Sequence, residues 1–165
     1  MSRPRRLKEF DYFGFHHYSV TVCVLDRRSV FTDAAVVASV QSHFLHQAPR
    51  FACEVVVYCF MPDHVHLLID GTMESADFQS FMARAKQKSG FDFAAGHGHR
   101  LWQEGYYDRV LRDDEPIPDV IRYIIANPAR AGLVVDPGEY PFWGSGVYSR
   151  EELVEFIAVK TDRHR

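Results

Sequence analysis

The segment YCFMPDHVHLLID, residues 58 to 70, places His64 and His66 two apart in an otherwise apolar run. Side chains alternate along an extended strand, so His64, His66, Leu68 and Asp70 share one face and Val65, Leu67 and Ile69 take the other. Neutral imidazole is a common ligand for divalent metals. Two imidazoles projecting together could bind one ion. Two half-exposed histidines on an open sheet face would have the same spacing. A second pair lies in IRYIIANP. At about 100° per residue, Ile117, Val120, Ile121, Ile124 and Ile125 gather into one apolar stripe. Tyr123 and Asn127 stand at i and i+4 on a flank of that stripe. Spacing alone leaves open two readings: a phenol with a polar partner, or a surface tyrosine with an asparagine that ends a helix before Pro128.

Further polar residues cluster near these. Tyr106 and Tyr107 sit in GYYDRV beside Arg109. They could form a reacting pair, stack on unpaired bases, or pack at a sheet edge. Asp63 directly precedes His64 and is either an acceptor that orients an imidazole or a plain turn residue after Pro62. Arg109, Arg112 and Arg130 are candidate phosphate clamps or ordinary surface charges. His97 and His99 in GHGHR form another H-x-H, but in a glycine-rich stretch read as a flexible surface loop.

The elements that must position these groups follow from patterning. HHYSVTVCVL (16–25) alternates as a first strand, and TDAAVVASVQSHFLHQ (32–47) is a helix capped by Thr32 or Asp33. FACEVVVYCF (51–60) is β-branched and aromatic, MPD turns the chain, and HVHLLID returns antiparallel. ESADFQSFMARAKQKSG (74–90) is a second helix, with Gly90 as its expected stop. LWQEGYYDRVLR carries a fourth, shorter strand, and DDEPIPDVIRYIIANP a third helix ended by Pro128. This order predicts an α+β, ferredoxin-like fold: one antiparallel sheet with helices packed on it. A tail helix is expected from Ser149, where SREE makes a capping box with Glu152.

Composition bounds the remaining possibilities. A length of 165 residues suits one core, and 47% hydrophobic with 25% charged residues is a globular balance. The net charge of −3 counts against a general nucleic-acid binder. The basic clusters, RPRRLK at the start and RAKQK at 84–88, could still form a local face. Cys53 and Cys59 lie six apart in one strand and cannot be bridged within it, so the cysteines read as buried thiols. No apolar run approaches a bilayer span, and no signal-peptide core follows the basic start. The expectation is a soluble cytoplasmic protein without a membrane partner, nucleoid-associated when bound to DNA.

Four stretches taken together, YCFMPDHVHLLI, WQEGYYDRVLRDDE, IRYIIANPARAGLV and YPFWGSG, resemble the single-tyrosine HUH transposases of the smallest insertion sequences, and more closely the REP-associated tyrosine transposases. The resemblance covers roughly residues 10–146. It divides the chain into a transposase domain at 1–146 and a C-terminal helical tail at 147–165. It implies Mg²⁺ or Mn²⁺ held by His64, His66 and Asn127, with Tyr123 as the nucleophile. It also implies a ferredoxin-like fold and a single-stranded or hairpin DNA substrate from repeat or transposon ends. A phenol, with a pKa of about 10, is a poor nucleophile until it loses its proton, and a divalent ion on the scissile phosphate offsets developing charge. The resemblance is compatible with a homodimer as well as with a monomer.

Two other readings share some of these residues. HVHLLI partly resembles the histidine-triad nucleotide hydrolases, but Leu68 occupies the position where a further histidine is needed. A domesticated module that grips hairpin DNA without cleaving it is the other. The presence of His64, His66, Tyr123 and Asn127 together favours cleavage.

Overall fold

A computed structural model describes residues 9–158. The basic RPRRLK segment and the last seven residues lie outside the described residues. Strand β1 (His17–Cys23) leads through a short 3₁₀ turn to helix α1 (Ala34–Gln47). Strands β2 (Cys53–Met61) and β3 (His64–Gly71) form a hairpin, followed by α2 (Phe78–His97) and β4 (Tyr107–Val110). Then come α3 (Ile117–Ile125), the one-turn α4 (Asn127–Arg130), β5 (Trp143–Gly144) and α5 (Arg150–Ala158). The five strands make one antiparallel sheet in the order β4-β1-β3-β2-β5. Its first four strands have the ferredoxin-like order expected from the sequence, and β5 is an addition the patterning did not reveal.

Each face of the sheet has its own core. Val20 and Val22 of β1, Phe60 of β2 and Val65, Leu67 and Ile69 of β3 pack with Val37, Val40 and Phe44 of α1 and Phe81 and Met82 of α2. On the other face, Val57, Cys59, Met61 and Leu68 pack with Ile121, Ile124 and Ile125 of α3 and Leu153 of α5. The strand alternation and the α3 stripe drawn from the sequence therefore hold. A bulge in β2 sets Val56 and Val57 together opposite Leu68, so the strand changes phase there.

Helix α2 departs from expectation. Gly90 does not stop it; the helix runs on to His97 and ends at Gly98, whose φ of +75° suits the left-handed cap. Gly90 instead lets Trp102 approach, since a Cβ there would stand 3.4 Å from the indole. The neighbouring Ser89 hydroxyl accepts the indole N–H at 3.0 Å. His97 is consequently helical, stacked on Phe93 with ring centroids 4.1 Å apart, and not part of a loop. The third helix is also divided: α3 ends at Ile125, and Asn127 opens α4, because Pro128 has no N–H to continue the ladder. Ala126 between them keeps helical angles, so Tyr123 and Asn127 remain near neighbours.

The YPFWGSG segment serves the fold. The Tyr140 hydroxyl donates to the Phe60 carbonyl, and Trp143 and Gly144 pair with Cys59 and Tyr58. A Cβ on Gly144 would lie 2.5 Å from the Tyr58 hydroxyl, which explains glycine at that position. The tail helix has the predicted capping box: Glu152 accepts from the Ser149 backbone N–H at 2.7 Å, and Ser149 Oγ accepts from that of Glu152 at 3.1 Å. All three cysteines are free and buried, and burial pushes the Cys53 and Cys59 thiols up to about 12. Among the described residues, no helix is long and apolar enough to cross a membrane.

Candidate metal and nucleophile site

The β2–β3 turn aims the first histidine. Its backbone is tied to the end of β1, where the Val24 N–H donates to the Asp63 carbonyl at 2.9 Å. His64 then opens β3 with its Nδ1 2.6 Å from Asp63 Oδ1. Facing a carboxylate, that nitrogen carries the proton, which leaves the Nε2 lone pair bare. Asp63 is held in turn by Arg27, whose Nε donates to Oδ2 at 2.9 Å. Burial works against the charge on Asp63, but hydrogen bonds from His64 and Arg27 outweigh it and hold the carboxyl below its usual range. Arg27 and its predecessor Asp26 both have left-handed backbones (φ 53° and 58°), unusual for side-chain-bearing residues. The same guanidinium donates to the Cys23 thiol at 3.0 Å.

The second histidine lies in a row that crosses every strand. Tyr107 of β4 pairs with Thr21 of β1, Thr21 with His66, His66 with Cys59, and Cys59 with Trp143 of β5. Because paired residues share a face, Tyr107 stands on the histidine face while Tyr106 turns into the opposite core. Tyr107 is 42% exposed; Tyr106 is buried edge-on against Phe78. Helix α3 packs on β2 and β3, so it covers only part of this face. His66 is largely buried, and desolvation, followed by the nearby charges of His64, Arg130 and Arg27, lowers its pKa to about 4. It is therefore neutral near pH 7.

The two Nε2 atoms are 3.0 Å apart. That is the separation of two ligands about 2.1 Å from one metal ion and at right angles around it. Without an ion, His66 Nε2 must donate to His64 Nε2, and its Nδ1 accepts from the Thr21 hydroxyl at 3.1 Å. A hydroxyl both donates and accepts, so Thr21 also suits the other tautomer, in which both Nε2 atoms present lone pairs. The donor set thus fits a divalent cation. It is also sparse: among the described residues no group of three His, Cys, Asp or Glu stands together for a metal. A cation here would need further oxygens, from an amide, water or phosphate, the ligand chemistry suited to Mg²⁺ or Mn²⁺.

On the helical side, Tyr123 is 62% exposed. Arg130 connects it to Asn127. Its guanidinium lies 3.7 Å from the Tyr123 ring centroid, and Nη2 donates to the Tyr123 carbonyl at 2.8 Å and to Asn127 Oδ1 at 2.6 Å. Asn127 Nδ2 is buried and without a hydrogen-bond partner. The other two arginines stand differently. Arg109 is engaged by both oxygens of Glu115 at 2.6 and 2.8 Å, while Arg112 is open to solvent, 3.8 Å from Asp114.

The sequence singled out His64, His66, Asp63, Tyr123, Asn127 and Arg130, and the fold groups them as two histidines with their aspartate and a tyrosine–asparagine–arginine cluster. Thr21 and Arg27 were missed. Strand parity could have flagged Thr21, but only with the β1–β3 register known. Arg27 gave no signal, since it reaches Asp63 across 36 residues. A cleft of about 460 Å³ lined by Lys86, Arg100, Trp102 and Tyr106 lies between α2 and the segment before β4, on the opposite side of the sheet.

The family model described as "Transposase IS200 like" matches residues 14–127, a span that contains both histidines, Tyr123 and Asn127. A Haemophilus influenzae protein assigned to the REP-associated tyrosine transposases is 25% identical over 154 residues, covering 86% of this chain and 84% of that protein. The solved structure of a REP-associated tyrosine transposase bound to a REP hairpin superposes with a TM-score of 0.70 at 22% identity, over 87% of this chain and 82% of that one. A bacterial tRNA(His) guanylyltransferase-like protein in complex with GTP reaches a TM-score of 0.54 at 11% identity, over 92% and 93% of the two chains. That likeness concerns the fold alone.

Proposed function

Because the chain belongs to the IS200-like transposase family, we propose that it is a metal-dependent endonuclease and strand transferase for single-stranded DNA, acting on hairpin or repeat ends through a 5′-phosphotyrosine. The observation that carries this reading is the pair of Nε2 atoms 3.0 Å apart on the same sheet face that α3, bearing an exposed Tyr123, packs against. The hairpin in the complex of the structural relative supports the substrate class.

In this reading, His64, His66 and Asn127 would hold Mg²⁺ or Mn²⁺, whose charge would offset that developing on the scissile phosphate. Asp63 and Thr21 fix the two imidazoles with their Nε2 atoms toward the site. Tyr123 Oη gives up its proton to solvent and attacks phosphorus. The P–Oη bond forms, the bond from phosphorus to the 3′ oxygen breaks, and that oxygen leaves as a free 3′-hydroxyl after taking a proton. One phosphodiester is exchanged for another, so a later hydroxyl can reverse the step or join a new end without ATP. Tyr107, exposed in the row that contains His66, is placed to stack on an unpaired base beside the site. Arg112 is open for a backbone phosphate, and Arg109 would have to leave Glu115 to make one. Tyr106 is a core residue and acts at most through the position of β4.

The test uses labelled single-stranded hairpin oligonucleotides from the protein's own genomic neighbourhood, with Mg²⁺ or Mn²⁺ and with EDTA. The expected result is a protein–DNA adduct on a denaturing gel that needs the metal and vanishes in Tyr123→Phe. An adduct persisting in that variant would move the nucleophile to Tyr107. Tight binding to several repeats without any adduct would instead support a binding module.

A further inference from the structure

The Tyr123–Asn127 pair spans the break between α3 and α4. Pro128 removes one rung of the helical ladder between α3 and α4, and the Tyr123 ring is mostly in solvent. One side chain compensates for both. Arg130 covers the tyrosine ring at 3.7 Å, holds the carbonyl of the same residue, and holds the Asn127 amide oxygen. A carbonyl oxygen has two lone pairs, so the bond to Arg130 fixes the direction of Oδ1 and leaves the second pair for another partner. It also decides which way the amide faces. Turning it over would set two donors, Nδ2 and Arg130 Nη2, against each other, and the unpartnered, buried Nδ2 is the cost of the orientation observed. Helices α3 and α4 both pack against β2, with α3 also on β3, so the cluster stands on the sheet face that carries the histidine pair.

We propose that Arg130 is a positioning residue that locks the Tyr123 ring and the Asn127 amide into one unit facing the histidine pair, in place of the phosphate clamp its charge would suggest. The proposal rests on the function proposed above for Tyr123 and Asn127. A flat, delocalised cation is needed for it: the group must stack on a ring and donate in its own plane to two oxygens at once, which a lysine ammonium cannot do. Both observed bonds use Nη2, so any contact of the other nitrogens with DNA would be additional to this role.

The kinetics separate the two roles. Arg130→Ala should lower the rate of adduct formation at saturating hairpin by about 10- to 100-fold, the range seen when a residue orienting a metal ligand is lost. The hairpin concentration for half-maximal rate should change by less than about threefold, and Arg130→Lys should not restore the rate. A phosphate clamp would give the reverse: a loss confined to the half-maximal concentration, a shallower salt dependence, and rescue by lysine. That outcome overturns the proposal.

A second readout needs neither DNA nor metal. The ¹⁵N–¹H signal of the Arg130 side-chain Nε should be shifted upfield by the Tyr123 ring in the wild type and return to its ordinary position in Tyr123→Leu. An unshifted wild-type signal overturns the proposal by itself. If the wild type forms no adduct, the function assigned to Tyr123 fails, while the NMR result still decides whether Arg130 locks the pair.

Discussion

The two faces of the sheet are built from the same strands and solve different problems. Toward α1 and α2, successive strand residues such as Val20, Val22, Val65, Leu67 and Ile69 are at most 1% exposed and wholly apolar. Toward α3 the apolar packing lies mainly on β2, β3 and β5, joined by Leu111 just after β4, and the row of His66 continues through Thr21 to the exposed Tyr107. One face holds the larger apolar core. The other leaves part of itself open so that polar groups can meet a substrate. Alternation along β3 sends one residue to each task in turn, which lets the rigid face hold the chemical one in place.

Substitutions should separate the two faces by kind and by size. Leu67→Ala removes a fully buried side chain on the closed face and should destabilise the protein by about 2–5 kcal/mol in urea melts, with the metal site intact in the fraction that folds. Next comes pH. His66 has a folded pKa of about 4, below its ordinary value of 6.5, so the unfolded chain takes up its proton first. Stability is then full above about pH 6.5 and falls as pH drops toward 4, by up to ~3 kcal/mol. Melts of the metal-free protein across this window should show that slope, and His66→Gln should flatten it; equal slopes in the two would contradict the burial of His66.

Smaller effects belong to the groups around the histidines. Thr21→Val and Asp63→Ala should each weaken Mn²⁺ binding by about 10- to 100-fold, measured by electron paramagnetic resonance of free Mn²⁺, while the melting midpoint moves little. Thr21→Ser should retain the affinity, because the hydroxyl remains. Smallest is Ser149→Ala, which removes half of the capping box on α5 and should cost about 1 kcal/mol, without altering metal affinity. A large loss of metal binding in that variant would mean that the tail helix and the site are coupled.

The order of elements and the face of each β3 residue were legible in the sequence because they depend on local periodicity. His64 and His66 could be assigned to one face without knowing what lay opposite. Gly90 was misread because its role is tertiary: the residue that needs it, Trp102, lies in a segment twelve residues on, and an isolated helix would indeed be weakened there. Strand β5 is only two residues long and carries too little pattern to be recognised. Thr21, Arg27 and the link made by Arg130 share another obstacle. Each depends on which side chain ends up beside another, and neither composition nor spacing encodes a register between β1 and β3 or the path of a guanidinium.

The bulge at Val56 has a consequence for anyone mutating this protein. Ahead of it, odd-numbered β2 residues such as Cys53 and Val55 face α1 and α2; beyond it, the even-numbered Tyr58 and Phe60 do. A substitution library that follows a fixed odd–even rule along the strand would begin on one side of the sheet and finish on the other. By the same count, deleting Val56 would restore strict alternation along β2 while every pair on both sides, Cys59 opposite His66 included, stayed in register.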